Sequence, residues 1–119
     1  MQRFTELRVW KRSHAFALQM YRLSARIPET ERFGLISQIR RAVVSIPTNI
    51  AEGSKRQKRP DYARFLNIAE GSLAEVEYLL MLCRDLGYVD KKLSDEALAE
   101  ANEIARMLST LRAKVEESE

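Results

Sequence analysis

Turn-forming residues are scarce: 4 Gly and 3 Pro in 119 residues. A β-sandwich or barrel needs many tight turns, so that shortage argues against both. There is one cysteine, Cys83, so no internal disulfide forms, and a lone thiol is a poor basis for a structural metal site. Cys83 reads instead as a small buried hydrophobe. The single histidine, His14, has Lys11 three residues before it where a carboxylate bundle metal site would carry glutamate. Charged residues interrupt every hydrophobic stretch, and none approaches the roughly 20 apolar residues of a membrane span. The first residues, Met1 to Arg8, lack the apolar segment of a secretory signal, so the expectation is a soluble, cytoplasmic protein.

What is present favours helix. Ala, Leu, Glu, Lys and Arg make up about half of the chain, and 45% of residues are hydrophobic, which excludes a disordered chain. The length suits one domain over residues 1–119, with a single core. The net charge of +3 conceals an asymmetry. Residues 1–64 carry 14 Lys/Arg against 5 Asp/Glu, and residues 65–119 carry 6 against 12. Salt bridges between the halves could absorb this split, or it could leave one end of the molecule basic and the other acidic.

Four helices follow from the apolar spacing. The first fits Leu7 to Arg26, with Val9, Phe16, Met20, Leu23 and Ile27 on one stripe and Pro28 ending it. The second runs from about Gly34 or Leu35 to Glu52, with Ile36, Ile39, Val43, Ile46 and Ile50 in line and Gly53 and Ser54 closing it. Pro47 lies inside and withholds a donor from the Val43 carbonyl, so a bend is expected there, not a break. The third runs from Pro60 to Leu86. Phe65, Ala69, Ser72, Val76, Leu79, Cys83 and Leu86 form one seam, and Leu66, Leu73 and Leu80 a second. Gly71 is expected to mark a close helix approach, and Gly87 the C-terminus. The fourth has Ser94 as its N-cap and Ala97, Ala101, Ile104, Leu108, Leu111 and Val115 as its seam, with a fraying tail over residues 116–119. The predicted fold is an all-α, up-down-up-down antiparallel four-helix bundle with a kinked second helix.

Two constellations stand out. Gln38, Arg41, Ser45, Asn49 and Glu52 make a polar line on the second helix, either a solvated outer face or a hydrogen-bonded network within the bundle or between subunits. Lys55, Arg56, Lys58 and Arg59 crowd the linker before the third helix, with Arg64 one turn on and Arg40 and Arg41 on the second helix. Such a cluster suits phosphate backbones, which need cationic donors at loose spacing, and equally suits a merely soluble loop. Tyr62 could stack on a base or pack in the core. His14 reads as a helix-face residue packing its ring at a helix or subunit contact. It lacks the orienting carboxylate and nucleophile that catalysis would need. No phosphate-binding glycine loop, serine elbow or zinc spacing occurs, so the expectation is a protein without catalytic residues, cofactor or metal.

Taken together, several segments carry a resemblance: Leu7-Arg8-Val9-Trp10, Tyr21 with Ile27-Pro28, Glu31-Arg32-Phe33-Gly34-Leu35, Gln38 to Ala42, Ser45 to Gly53, Phe65-Leu66, Ala69 to Leu73 and Leu86-Gly87-Tyr88. In this order and spacing the chain resembles the small bacterial four-helix bundle proteins also called 23S ribosomal RNA intervening-sequence proteins. Arg59-Pro60-Asp61 is the least typical portion. The family name reflects genes lying inside insertions in ribosomal RNA genes, a location and not an activity. The resemblance implies a ring-like homopentamer. A similar bundle, the accessory variability determinant of diversity-generating retroelements, is pentameric and works with a reverse transcriptase and nucleic acid through a basic surface. For this chain the resemblance makes Arg40, Arg41 and the Lys55 to Arg59 cluster candidates for a basic surface repeated around a ring, and Asn49 and Glu52 structural or inter-subunit hydrogen-bonding residues. The expected function is therefore a non-enzymatic homo-oligomer that binds structured RNA or DNA, ribosomal RNA included, and can scaffold a protein partner without involving a membrane. The alternative is a protein-interaction or structural ring with no affinity of its own for nucleic acid.

Overall fold

The computed structural model describes residues 3–117, and among these every regular element is helical. The long helices are α1 (Arg8–Ser24), α2 (Ser37–Ser54), α3 (Arg59–Asp85) and α4 (Lys91–Glu117). Each packs on its neighbours in the chain, and α4 closes back on α1, giving a four-helix bundle measuring 48 × 24 × 20 Å. One core joins all four. Its centre is made of side chains with almost no exposure, including Phe16 and Met20 of α1, Ile39, Val43, Ile46 and Ile50 of α2, Leu66, Leu73, Val76 and Leu80 of α3, and Ile104 and Leu108 of α4. Cys83 is buried and unbridged among them.

Helix α1 stops at Ser24, two residues before the expected end. Ile27 precedes Pro28, whose ring disfavours helical backbone at that position. Successive short turns carry the chain out, with Ala25, Arg26 and Ile27 donating to the carbonyls of Arg22, Leu23 and Ser24. His14 is exposed and stacks on Trp10 one turn earlier, the ring centroids 5.3 Å apart and the planes 7° from parallel.

A wide turn at Arg32–Ile36 leads into α2 and contains the backbone departure at Gly34 (φ −107, ψ −107). Glu31 secures this turn. One carboxylate oxygen accepts from Leu35 N–H at 3.4 Å and the other from the Tyr88 hydroxyl at 3.2 Å. Two segments far apart in the chain are thereby joined. Helix α2 runs unbroken through Pro47, as expected, and extends past Gly53 to Ser54. Gly53 does not terminate the helix because its role is steric. A Cβ there would lie 2.8 Å from Phe65 Cβ and 3.0 Å from Tyr62 Cδ1, so α2 and α3 converge at a point where only hydrogen fits.

In α3 the buried line is Leu66, Ala69, Leu73, Val76, Leu80 and Cys83, a strict alternation of three and four, with Ala63 and Leu79 beside it. Phe65 and Ser72 are half-buried and Leu86 is exposed, so the true seam combines parts of the two expected ones. Gly71 is not a close approach within the chain, since a Cβ there meets nothing within 4 Å. The end of α3 is as expected: Gly87 adopts φ 78, its N–H reaches the Arg84 carbonyl, and Tyr88 N–H reaches the Cys83 carbonyl. This pair of bonds is a Schellman closure.

The expected cap of α4 is displaced. Asp90 performs it, accepting from Leu93 N–H at 2.8 Å, whereas Ser94 is fully buried inside the first turn and donates to the Asp90 carbonyl. Aspartate caps as well as serine does, so the sequence offers two competent caps four residues apart. Helix α4 continues through Glu117. Ser118 and Glu119, where fraying was expected, lie outside the described residues.

These contacts set opposite expectations for two glycines. Gly53→Ala must push Phe65 or Tyr62 aside and is expected to destabilise by about 1–3 kcal/mol. Gly71→Ala fills open space on an exposed helix interior and is expected to stabilise by about 0.5–1 kcal/mol. Urea unfolding midpoints of the two variants check both signs.

The pH dependence also has a defined direction. Burial first, then the Glu31 charge, raises the Cys83 thiol above its ordinary 9.0, and the hydrogen bond to Glu31, then burial, raises the Tyr88 phenol above 10.0. Both groups hold their protons more tightly folded than unfolded. Their contribution is complete below the unfolded values and is lost as pH rises through the folded ones. Unfolding midpoints are expected to be insensitive to these groups near neutrality and to fall above about pH 9, with Cys83→Ala and Tyr88→Phe each flattening part of the decline.

Candidate nucleic-acid interface

The corner between α2 and α3 is built by a tight helix exit followed by a prompt restart. Lys55 and Arg56 N–H groups close onto the carbonyls of Glu52 and Gly53, ending α2. Lys58 is extended (φ −98, ψ 135) and precedes α3, whose first turn holds Pro60 and Asp61. No side chain caps this N-terminus. Proline suits the position because its missing N–H would have had no helical partner there. Lys55, Arg56, Lys58, Arg59 and Arg64 are all exposed.

Phe65 organises two of them. The Arg56 guanidinium lies 4.7 Å from the ring centroid and that of Arg64 lies 4.8 Å from it. Each contact contributes about 0.5–1 kcal/mol at an exposed site and fixes a side chain that would otherwise sample many rotamers. Among the described residues, no carboxylate pairs with Lys55, Arg56, Lys58 or Arg64. Lys55 and Arg56 lie at the negative end of α2. Lys58 and Arg59 lie at the positive end of α3, where cations are unfavourable to the helix.

Two grooves flank this corner. One, of about 340 Å³, has Leu7, Tyr62 and Leu111 as apolar lining and Arg56, Lys58 and Arg59 around them. The other, of about 750 Å³, lies between the start of α3 and the end of α4 and is lined by Arg59, Arg64, Asn67 and Arg112, among others. Tyr62 is half-buried, and that burial raises its phenol above the ordinary 10.0, so it stays a hydrogen-bond donor at neutral pH.

Arg40 and Arg41 are elsewhere. They sit near the start of α2, about 22 Å along the helix from Lys55 at 1.5 Å per residue. Arg40 is committed within the bundle: Nε donates to Ser24 Oγ at 2.9 Å, Nη2 donates to the Tyr21 carbonyl at 3.5 Å, and the guanidinium stacks 4.7 Å from the Tyr21 ring centroid. It ties the last turn of α1 to α2. Arg41 is exposed and lines a polar cavity of about 230 Å³ with Gln38, Ser45, Ser72 and Glu75.

Part of the polar line on α2 is a network. Ser45 and Ser72 hydroxyls are 2.8 Å apart across the α2–α3 contact, and Asn49 Nδ2 donates to both the carbonyl and hydroxyl of Ser45 at 2.8 and 2.9 Å. Gln38 and Glu52 are exposed and lie outside it. Ser72, read from the sequence as a seam position, is the partner that periodicity alone did not mark. Arg112 was also missed. It belongs to the acidic half of the chain, and only the fold brings it beside Arg59 and Arg64, while it donates to Glu70 at 2.6 Å and to Glu116 at 3.1 Å.

An ion pair joins the basic and acidic halves of the chain at Arg12. Arg12 bridges the halves with a two-point contact to Glu100 at 2.9 and 2.7 Å, and this raises the Arg12 pKa further. Arg84, Lys91, Arg106 and Arg112 pair with carboxylates of their own acidic half. Among the described residues no three metal-ligating side chains converge, and no helix is long and apolar enough to cross a membrane.

No curated protein matches the sequence at a significant level. The chain is similar to a crystal structure of a protein of unknown function from the S23 ribosomal protein family of Bacteroides thetaiotaomicron. The two are 30% identical with a TM-score of 0.81, over 87% of this chain and 97% of that one. Neither that description nor the matching family model names an enzyme. The model that matches residues 5–110 is that of the 23S rRNA-intervening sequence protein, and with nearly the whole bundle covered, the chain belongs to that family.

Proposed function

We propose that this protein is a non-enzymatic, cytoplasmic, homo-oligomeric bundle that binds structured RNA or DNA through the α2–α3 corner, and that it scaffolds a nucleic-acid-associated protein. One observation carries the reading. Lys55, Arg56, Lys58 and Arg64 are exposed at one corner with no carboxylate partner in the described chain, while the arginines of the other half are spent on neighbouring acids. Concentrated positive charge at a helix N-terminus lowers fold stability unless an anion offsets it, and a phosphate backbone supplies anions at any register. In an oligomer the corner repeats, and individually weak contacts add through effective concentration.

A second reading, a protein-interaction or structural ring without nucleic-acid affinity, is favoured by exposed apolar side chains. Phe33 is 89% exposed, and Tyr78 and Met81 lie on the outer side of α3. The two readings part in one experiment. Replacing Lys55, Arg56, Lys58 and Arg59 by glutamine is expected to weaken binding to a labelled ribosomal RNA hairpin at least tenfold. It should also flatten the salt dependence by up to about 0.7–0.9 log units per phosphate contact removed. Light scattering should show assembly unchanged. Loss of assembly, or unchanged binding, would favour the second reading.

A further inference from the structure

Deepening the nucleic-acid reading on which it rests, we infer that the groove of about 340 Å³ beneath Arg56 and Lys58 takes one unstacked nucleobase against Tyr62, so that the preferred ligand is a single-stranded or looped segment and not a continuous duplex. The lining has two chemistries arranged in the order a nucleotide presents them. Leu7, Tyr62 and Leu111 supply apolar surface, and Arg56, Lys58 and Arg59 supply positive charge around it. A phosphate alone has no use for the apolar floor, and an apolar side chain alone has no use for the cations. A nucleotide uses both. Its volume falls in the range of about 300–1,000 Å³ typical of small-ligand sites.

Tyr62 is suited to stacking because it is already fixed. Its ring edge lies where a Gly53 Cβ would come within 3.0 Å, so the end of α2 holds the ring in place before any ligand arrives. The side chain remains partly exposed, and its hydroxyl bonds no group among the described residues. Gln57 lines the same groove and offers a donor and an acceptor to a base edge. Phe65 adds the second element. By holding Arg56, which lines the groove, and Arg64, which lines the neighbouring one, on a single ring, it keeps two cations close together for the phosphates of a strand that enters. A base within a duplex is stacked on both faces and unable to enter, whereas a loop base enters at little cost.

The test uses the full-length protein and three fluorescent probes: a short single-stranded oligoadenylate, an abasic strand of equal length and charge, and a duplex of the same length. The oligoadenylate is expected to bind about tenfold more tightly than the abasic strand, as stacking of one base on an aromatic side chain provides. A 2-aminopurine within the strand is expected to lose fluorescence on binding. Tyr62→Leu should bring the affinities for the two strands to within about twofold of each other. Because Tyr62 also packs on Gly53, the comparison of strands on the wild-type protein is decisive by itself. Equal affinity for the oligoadenylate and abasic strands, or tighter binding of the duplex, would overturn the base site and leave the proposed function resting on backbone contacts. Failure of every probe, with the ribosomal RNA hairpin also unbound, would overturn both.

Discussion

The close approach of α2 and α3 at Gly53 is the constraint on which the corner of the molecule depends. A hydrogen where any other residue has a Cβ lets Phe65 and Tyr62 pack directly on the end of α2. Three consequences follow from that contact. The linker can be as short as Lys55 to Lys58, the Phe65 ring comes within reach of Arg56 from the linker, and the Tyr62 ring is held at the wall of a groove. Separating the helices by the width of a methyl group would disturb all three, because interiors packed this densely transmit rather than absorb small displacements.

The segments that carry the family resemblance act mainly as ties between helices. Glu31 fixes the turn into α2 and accepts from Tyr88 in the α3–α4 connection. Arg40 clamps the last turn of α1 through Ser24 and Tyr21, where a cation also complements the negative end of that helix. Ser45, held by Asn49, meets Ser72, and Gly53 meets Phe65. All of these ties but that of Glu31 leave α2, and Glu31 secures the turn that leads into it, so the family pattern reads as restraints that position α2 against its neighbours. The unpaired cations of residues 55–58 lie just beyond that pattern.

Most of the fold was legible because helical periodicity reports which face of a helix is apolar. The buried lines of α1, α2 and α4 follow the sequence spacing closely, as does the end of α3 at Gly87. Periodicity does not report what lies opposite that face. From the sequence Gly53 reads as a helix end and Gly71 as a close helix approach, yet Gly53 is the steric necessity and Gly71 faces open space. The same limit applies to polar groups. Arg40 and Arg41 are adjacent in sequence, but a rotation of 100° between consecutive helical residues turns one toward Ser24 and leaves the other exposed. Asp90 and Ser94 are both competent caps, and only the buried position of Ser94 decides between them. The linker cations were legible as a cluster because they are consecutive. Their arrangement on Phe65 and their proximity to Arg112 were not, since both depend on how the helices meet.

Electrostatics separates the two ends of α2 in kind as well as in position. At its start, the cation with the most contacts, Arg40, is consumed by hydrogen bonds that hold the bundle together, so substituting it would disturb folding before it disturbed any ligand. At its end Lys55, Arg56 and Lys58 pair with no carboxylate among the described residues, and the ring of Phe65 and the nearby Asp61 offset part of their mutual repulsion. The quadrupole of one aromatic ring is weak compared with the repulsion of several charges held close at a helix N-terminus, so the corner gains most from an external anion. The bundle can tolerate this because its stability rests on a continuous apolar core on the other side of Gly53. Fold stability is thus assigned mainly to residues other than the linker cations, so substituting those cations tests the proposed anion binding with the bundle intact.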